Sequence, residues 1–136
     1  MSAKWFDHLP QPVSQPAHMS IHELHERMTS KVAGKEFIVV DVRRTDIAEP
    51  DDHIIKQAIN LPAQTFYQTL PGIFSVLSDV PEVIFHCSSS NGRGPRCAAW
   101  YQDELDDKGI VTSQAFVLTG GINAWVARYP NGVVRA

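Results

Sequence analysis

The sequence predicts an α/β domain in which helices cover both faces of a parallel sheet. Short apolar runs, as in residues 37–40 and 83–85, alternate with longer segments of helical apolar spacing, as in residues 63–77 and 95–108. Strands that alternate with helices form parallel sheets covered on both faces. The chain has 136 residues, enough for one hydrophobic core and too few for two domains.

The first part of the chain is predicted to be an extended arm followed by a helix. Residues 1–19 contain three prolines, and we expect them to lie beside a single domain formed by residues 20–136. Ser20 and Glu23 have the spacing of a capping box, in which two side chains bind the free amides of a helix N-terminus. This pair predicts a helix over residues 21–31.

The middle of the chain is predicted to alternate between strands and one long helix. Residues 37–40 form a β-branched run typical of a buried parallel strand. A charged loop over residues 43–52 and a short strand over residues 58–60 follow. Residues 63–77 have the apolar spacing of a helix, with an interruption expected at Pro71 and Gly72.

The last part of the chain contributes the central strand of the predicted sheet. That strand covers residues 83–85 and is followed by a helix over residues 95–108. A last strand is expected over residues 115–118 and a short helix over residues 122–128. Ligands of such sheets bind beyond the carboxyl ends of the strands, so the segment after the central strand is the first candidate for a site.

That segment has the composition of an oxyanion site with its own nucleophile. Cys87 and Arg93 enclose five small polar or glycine residues, whose backbone amides are able to turn inward as a cationic nest. The thiolate of Cys87 is the predicted nucleophile, and the planar fork of Arg93 suits two oxygens of phosphate or arsenate. The residues predicted to bind the oxyanion are Ser88, Ser89, Ser90, Asn91 and Gly92.

The position of this segment before a helix strengthens the prediction. Pro95 suits the first turn of a helix, so the loop is expected at a helix N-terminus, whose field favours anions and thiolates. The alternative interpretation is that Cys87 is a buried structural thiol. The arginine six residues later, the absence of bulky side chains and the following Gly94-Pro95 pair argue against it.

Residues 86–96, read as His-Cys-x5-Arg-Gly-Pro-Arg, resemble the active-site signature of the rhodanese-fold cell-cycle dual-specificity phosphatases and the related eukaryotic arsenate reductases. Residues 39–43 resemble the first core strand of that family with its Asp-x-Arg end, residues 52–62 its His-Ile and Asn-x-Pro stretch, and residues 118–125 its closing Gly-Gly-x-x-x-Trp motif. The resemblance implies a single rhodanese-like catalytic domain, with a central, mostly parallel sheet of about five strands and helices on both faces.

Three further residues are predicted to support the loop. His86 precedes the nucleophile, but alternation along a strand points its side chain away from that of Cys87. We therefore expect His86 to make a supporting hydrogen bond and not to transfer a proton directly. Asp41 and Arg43 are expected as scaffold residues near the mouth of the site.

No metal site is predicted. His22, His25 and Glu26 share a helix face, but no further residue completes a ligand set, so a solvated face is the better interpretation. Cys97, the second of two cysteines, could resolve an oxidised Cys87, although packing within the helix is the preferred interpretation.

The missing carboxylates favour arsenate over phosphate esters. The resembling phosphatases have acidic residues inside the loop, where this chain has Ser88 and Gly92, and a cysteine where this chain has Val42. A phosphatase needs an acid to protonate its leaving group. Arsenate oxygens exchange readily, and an external thiol completes the reduction. The leading hypothesis is therefore a thiol-dependent arsenate reductase, with no bound cofactor and with glutathione or glutaredoxin as reductant.

Three alternatives stay open. One is a protein or small-molecule phosphatase that forms a phosphocysteine on Cys87 and takes its acid from residues 46–52. Another is a sulfurtransferase that carries a persulfide, although rhodanese-type sulfur carriers have a loop one residue shorter. The last is a binding module, which is disfavoured because inactive rhodanese-like domains usually lack the cysteine.

Composition narrows the partners and the compartment. A net charge of −3 argues against nucleic acid as the main partner and leaves anion capture to the loop. Two cysteines in a chain of this size fit a reducing compartment, and no apolar stretch approaches the length of a membrane span. We expect a cytoplasmic, or also nuclear, protein that acts on a small oxyanion, with neither a nucleic acid nor a membrane as partner.

Overall fold

The computed structural model describes residues 4–44, 47 and 53–135. Its elements in chain order are β1 (Ala17–Met19), α1 (Ile21–Ser30), β2 (Phe37–Asp41), β3 (His53–Ile55), β4 (Ile59–Asn60), α2 (Ala63–Leu77), β5 (Glu82–His86), α3 (Arg93–Asp107), β6 (Gln114–Leu118), α4 (Gly121–Arg128) and β7 (Val133–Arg135). The alternation of strands and helices confirms the predicted α/β class.

Five of the strands form one parallel sheet. Their order is β1-β6-β5-β2-β4, so β5 is the central strand, as predicted. All the pairings in this sheet are parallel. The remaining two strands, β3 and β7, form a separate antiparallel pair. The sheet therefore directs the ends of β2, β5 and β6 toward one edge, where the 87–93 segment begins.

The helices cover both faces of the sheet, as predicted. Alternate residues of β5 belong to different cores: Val83 and Phe85 pack in the cluster that contains the apolar face of α2 and the buried face of α3. Ile84 packs in the other cluster, with residues of α1 and α4 such as Leu24 and Trp125. A period of two along each strand thus separates the two layers of helices.

The start of α1 confirms the predicted capping box. The N–H of Glu23 donates to Ser20 Oγ at 3.1 Å, and the N–H of Ser20 donates to Glu23 Oε1 at 3.0 Å. Both side chains therefore satisfy amides that the helix itself leaves unpaired.

The interruption expected in the second helix is wrong. α2 continues from Ala63 to Leu77 with Pro71 inside it. Its buried residues Phe66, Leu70, Phe74 and Leu77 recur at helical spacing and pack on the sheet. This burial outweighs the hydrogen bond that the proline cannot donate.

The N-terminal arm lies on α3 and ends in a strand that the sequence analysis missed. Trp100 Nε1 donates to the carbonyl oxygen of Pro10 at 3.0 Å, and the N–H groups of Val13 and Ser14 donate to the Asp103 carboxylate at 2.9 and 2.8 Å. β1 then pairs with β6 at the edge of the sheet. The predicted boundary at residue 20 therefore falls one residue after an edge strand.

Among the described residues, no helix combines the length and the apolarity that a membrane span requires.

Candidate active site

The anion loop (residues 87–93) leaves the central strand at the carboxyl edge of the sheet. Cys87 follows the last residue of β5, and Arg93 is the first residue of α3, so the chain turns from strand to helix within this loop. Cys87 is only 3% exposed and packs in the cluster beneath α2 and α3. The loop therefore occupies the edge at which ligands of parallel sheets bind, as expected.

The sulfur of Cys87 lies at the N-terminus of α3. The N–H of Gly94 donates to Cys87 Sγ at 3.4 Å. A Cβ at residue 94 would lie 3.2 Å from His86 Cα and 3.3 Å from Cys87 N, so the absence of a side chain lets the helix approach the strand end. The residue before the helix is Gly92, which has no side chain to cap it. The positive end of the helix dipole thus faces the sulfur of Cys87.

The structure joins the two ends of the predicted loop through Arg93 and Ser88. Arg93 is half-buried, and its Nη2 lies 3.4 Å from Ser88 Oγ, to which it donates. Ser89, Asn91 and Gly92 are exposed. The oxyanion-binding roles of Ser88, Ser89, Ser90, Asn91 and Gly92 stay predictions.

Ser90 has an unusual conformation for a residue with a side chain. Its φ is +60°, in the left-handed region, and it is 7% exposed. Within the described part of the chain its Oγ has no hydrogen-bond partner. Left-handed residues that persist despite their conformational cost cluster at functional sites, which is consistent with the loop being held in a fixed shape.

His86 supports the loop from below. The residue is fully buried, its Nδ1 lies 3.2 Å from the carbonyl oxygen of Cys87, and its Nε2 lies 3.9 Å from Asp41 Oδ2. Burial lowers the pKa of His86, an effect that outweighs the opposing attraction of the Asp41 carboxylate. The ring is therefore neutral at pH 7, and its Nδ1 contacts the backbone of Cys87; the supporting role of His86 in the reaction stays a prediction.

Asp41 and Arg43 form a buried ion pair at the end of β2. Arg43 Nε donates to Asp41 Oδ1 at 3.0 Å, and Arg43 Nη2 donates to Asp41 Oδ2 at 2.7 Å and to the carbonyl oxygen of His53 at 2.7 Å. Asn60 Nδ2 also donates to the carbonyl oxygens of Asp41 and Arg43. These contacts join the end of β2 to β3 and β4, and the scaffold role at the site stays a prediction for both residues.

The start of α4 contacts the loop and was missed as part of the site. The N–H of Ile122 donates to the carbonyl oxygen of Cys87 at 3.1 Å, and the N–H of Asn123 donates to that of Ser88 at 3.0 Å. The sequence signal for this contact is the pair Gly120 and Gly121, which follows β6 after Thr119 and served above only as part of the family resemblance. Both glycines have positive φ.

Neither Cys97 nor the histidines of α1 join the site. Cys97 is fully buried on α3, and burial raises the pKa of its thiol well above the ordinary range, so it stays protonated. His22 Nδ1 lies 2.7 Å from Tyr129 Oη, and the ring of His25 stacks on that of Tyr129 at 4.2 Å. Within residues 4–44, 47 and 53–135, no group of histidine, cysteine, aspartate and glutamate has the arrangement of a metal site.

Comparison with known proteins gives one family and several relatives. The model of the rhodanese-like domain matches residues 20–128. Arsenical-resistance protein 2 of Saccharomyces cerevisiae is 36% identical over 99 residues, which cover 67% of this chain and 75% of that protein. M-phase inducer phosphatase 2 of Mus musculus is 29% identical over 120 residues, which cover 78% of this chain and 20% of that protein.

The fold is similar to that of solved structures as well. The As-Sb reductase from Leishmania major superposes with a TM-score of 0.67 at 22% identity. The superposition covers 85% of this chain and 80% of that one. At this identity the likeness supports the fold, and the relatives above carry the argument about chemistry.

Proposed function

The chain belongs to the rhodanese-like domain family, and from that premise we propose that it is a thiol-dependent arsenate reductase with Cys87 as its nucleophile. The observation that carries the proposal is the contact between the Gly94 N–H and Cys87 Sγ, in a loop that contains an arginine and no carboxylate. The relatives of this chain include an arsenical-resistance protein of Saccharomyces cerevisiae. The relatives also include a phosphatase, which supports a second candidate function.

In the first step the Cys87 thiolate attacks arsenic(V). A sulfur–arsenic bond forms, and one arsenate oxygen leaves as water after it takes protons from solvent, so arsenic stays in its +5 state. The Arg93 fork and the loop amides hold the remaining oxygens. Because arsenate oxygens exchange readily, this step does not depend on a carboxylic acid within the loop.

In the second step an external thiol supplies the electrons. Its sulfur attacks Cys87 Sγ to form a mixed disulfide, the sulfur–arsenic bond breaks, and its electron pair stays on arsenic, which leaves as arsenite. A second thiol then releases Cys87. Overall, two thiols are oxidised to one disulfide, arsenate gains two electrons, and one water is formed.

The reductant is external because the second cysteine of the chain is unsuitable. Cys97 is fully buried and its pKa is raised, so it offers no accessible thiolate. Glutathione, with glutaredoxin to release Cys87, is the reductant that we propose. Both require a reducing compartment, which agrees with a cytoplasmic or nuclear protein.

The second candidate function is a phosphatase, favoured by the similarity to M-phase inducer phosphatase 2. The same thiolate would form a phosphocysteine, and a general acid would protonate the leaving oxygen. The predicted source of that acid, residues 46–52, lies outside the described residues except for Ile47. Residues 87–93 themselves contain no carboxylate that could replace it.

The test compares three reactions in the purified chain. Arsenite formation is measured with arsenate, glutathione and glutaredoxin, next to aryl-phosphate hydrolysis and thiosulfate–cyanide sulfur transfer. We expect arsenite formation to fall at least about a thousandfold in Cys87→Ser, because the nucleophile is lost. Cys97→Ser is the matched control and should keep the activity of the folded fraction.

Arsenate reduction that is equal in the wild type and Cys87→Ser would contradict the proposal. Aryl-phosphate turnover that depends on Cys87, without arsenate reduction, would assign the phosphatase function. Sulfur transfer that depends on Cys87, without either oxyanion reaction, would assign the sulfurtransferase alternative.

A further inference from the structure

The carbonyl groups at the start of the anion loop are held by a second helix. The N–H groups of Ile122 and Asn123, in the first turn of α4, donate to the carbonyl oxygens of Cys87 and Ser88 at 3.1 and 3.0 Å. The first turn of a helix has amides that the helix itself leaves unpaired. In α4, two of these amides bind the backbone of the loop.

Contact between this helix and the loop is backbone against backbone. A Cβ on Gly121 would lie 2.4 Å from the carbonyl oxygen of Cys87 and 2.6 Å from that of Ser88, distances that no side-chain atom tolerates. Gly121 also has a φ of +59°, which residues with side chains rarely adopt. Glycine at residue 121 is therefore a requirement of the close approach.

Holding these carbonyls also fixes the direction of two amides. A trans peptide unit is planar, and its C=O and N–H point in opposite directions. The carbonyls of Cys87 and Ser88 belong to the same peptide units as the N–H groups of Ser88 and Ser89. When α4 draws the two carbonyls toward itself, the two N–H groups point to the opposite side of the chain.

We propose that α4 positions the oxyanion-binding amides of the loop, and that Gly121 is the positioning residue that makes this possible. The Ser88 and Ser89 amides face the oxyanion because their carbonyl partners are bound by Ile122 and Asn123. Donation to the carbonyls also polarises these peptide units and strengthens their N–H groups as donors. The inference rests on the proposed function only in taking the 87–93 loop as the oxyanion site.

Two helices then act on one loop in different ways. α3 directs its N-terminus at the thiol, whereas α4 directs its N-terminus at the loop carbonyls. Both place the positive end of a helix dipole near the site. The role predicted for α4 is specific to the oxyanion, and it leaves the reaction with glutathione unaffected.

The main test is Gly121→Ala, with Gly34→Ala as matched control. Gly34 has a φ of +85°, and a Cβ there meets no atom within 4 Å, so the control carries the conformational strain without the contact. We expect Gly121→Ala to raise the KM for arsenate and the Kd for inorganic phosphate roughly tenfold to a hundredfold. The KM for glutathione should stay as in the control, a split that general destabilisation would not produce.

A second pair of variants applies if Gly121→Ala does not fold. Asn123→Pro removes the N–H that reaches Ser88, at a first-turn position where proline is tolerated. Asn123→Ala keeps this N–H and isolates the contribution of the side chain. The proposal requires weaker phosphate binding in the proline variant than in the alanine variant, measured by titration calorimetry on folded protein.

The outcomes separate this inference from the proposed function. If the wild-type chain binds neither phosphate nor arsenate, both are overturned. If the wild type binds them, and Gly121→Ala matches Gly34→Ala while Asn123→Pro matches Asn123→Ala, the positioning role alone is overturned.

Discussion

The unpaired amides at the N-termini of α1 and α3 are bound in opposite ways. α1 is closed by its own side chains, since Ser20 and Glu23 bind each other's backbone amides. α3 begins after Gly92, which has no side chain, and the N–H of Gly94 donates instead to Cys87 Sγ. The backbone differs as well, because Ser20 has the extended conformation usual for a cap (ψ 160°), whereas Gly92 has ψ −72°.

This difference shows how a helix N-terminus becomes an anion-binding site. Amides that are bound by local side chains stabilise the helix and are no longer available to a ligand. A helix whose amides are left for a thiolate or an oxyanion lacks the stabilisation of a side-chain cap. Its amides and the positive field of its N-terminus then remain available to bind an anion. A helix that starts after an uncapped glycine, at the end of a short loop that opens with a cysteine after a strand, is thus the informative combination in this chain.

The largest effect is expected for Arg93→Lys, which tests whether the N-terminus of α3 is an oxyanion site. A lysine ammonium carries the charge but lacks the planar fork, so we expect the KM for arsenate to rise roughly tenfold to a hundredfold. Arg128→Lys, in the exposed last turn of α4, is the control for loss of a guanidinium elsewhere. Steady-state kinetics with arsenate as the varied substrate measure the effect. An unchanged KM in Arg93→Lys would remove Arg93 from the oxyanion site.

A carboxylate at residue 92, just before the uncapped N-terminus of α3, should weaken anion binding. A Cβ at Gly92 meets no atom within 4 Å, so Gly92→Glu fits sterically. We expect the KM for arsenate to rise a few-fold to about tenfold relative to Gly92→Gln, because like charges repel at an exposed but close position. If the chain is a phosphatase instead, the same carboxylate can act as the general acid. Aryl-phosphate turnover should then be faster in Gly92→Glu than in Gly92→Gln.

The histidine beneath the loop should make stability depend on pH. Burial lowers the pKa of His86 in the folded chain, below the ordinary value of 6.5 that holds in the unfolded chain. As pH falls below 6.5, the unfolded state binds a proton that the folded state does not, so stability falls. Linkage limits the loss from this ring to at most about 1 kcal/mol between pH 6.5 and 5.5.

Urea unfolding at pH 7.5, 6.5 and 5.5 measures this loss, and the difference between the wild type and His86→Gln isolates the contribution of the ring. Equal pH dependence in the two proteins would show that His86 titrates normally.

The smallest effect is expected at the capped N-terminus of α1. Ser20→Ala removes the acceptor for the Glu23 N–H and should cost roughly 0.5–1 kcal/mol of unfolding free energy. The KM and kcat for arsenate should not change, because α1 does not contact the loop through this cap. A shift in kinetics with unchanged stability would mean that the two helix ends are coupled.

Prediction from the sequence worked best where the relevant residues are neighbours along the chain. The alternation that places Val83 and Phe85 on one face and Ile84 on the other follows from the period of a strand. The capping box needs only Ser20 and Glu23, three residues apart. Proximity along the chain also explains why Cys87 and Arg93 could be recognised as one loop.

It failed where distant segments decide the conformation. β1 has only three residues without a clear strand pattern, and the exposed edge of β6 selects it as a partner. Pro71 predicts a break in isolation, but the buried face of α2 keeps the helix continuous. Local propensity is a weak preference that burial of an apolar face readily overrides.

By itself, the sequence determined the order of four sheet strands and four helices, the family, and a thiol and a guanidinium separated by five small residues. Those features are local, since they depend on spacing along the chain and on intrinsic preferences of the residues. Only the tertiary structure decided that His86 is buried beside Asp41, that the arm lies on α3, and that α4 binds the carbonyls of Cys87 and Ser88. The physical reason is that backbone hydrogen bonds and burial between distant segments depend on how elements pack, and no single segment encodes them.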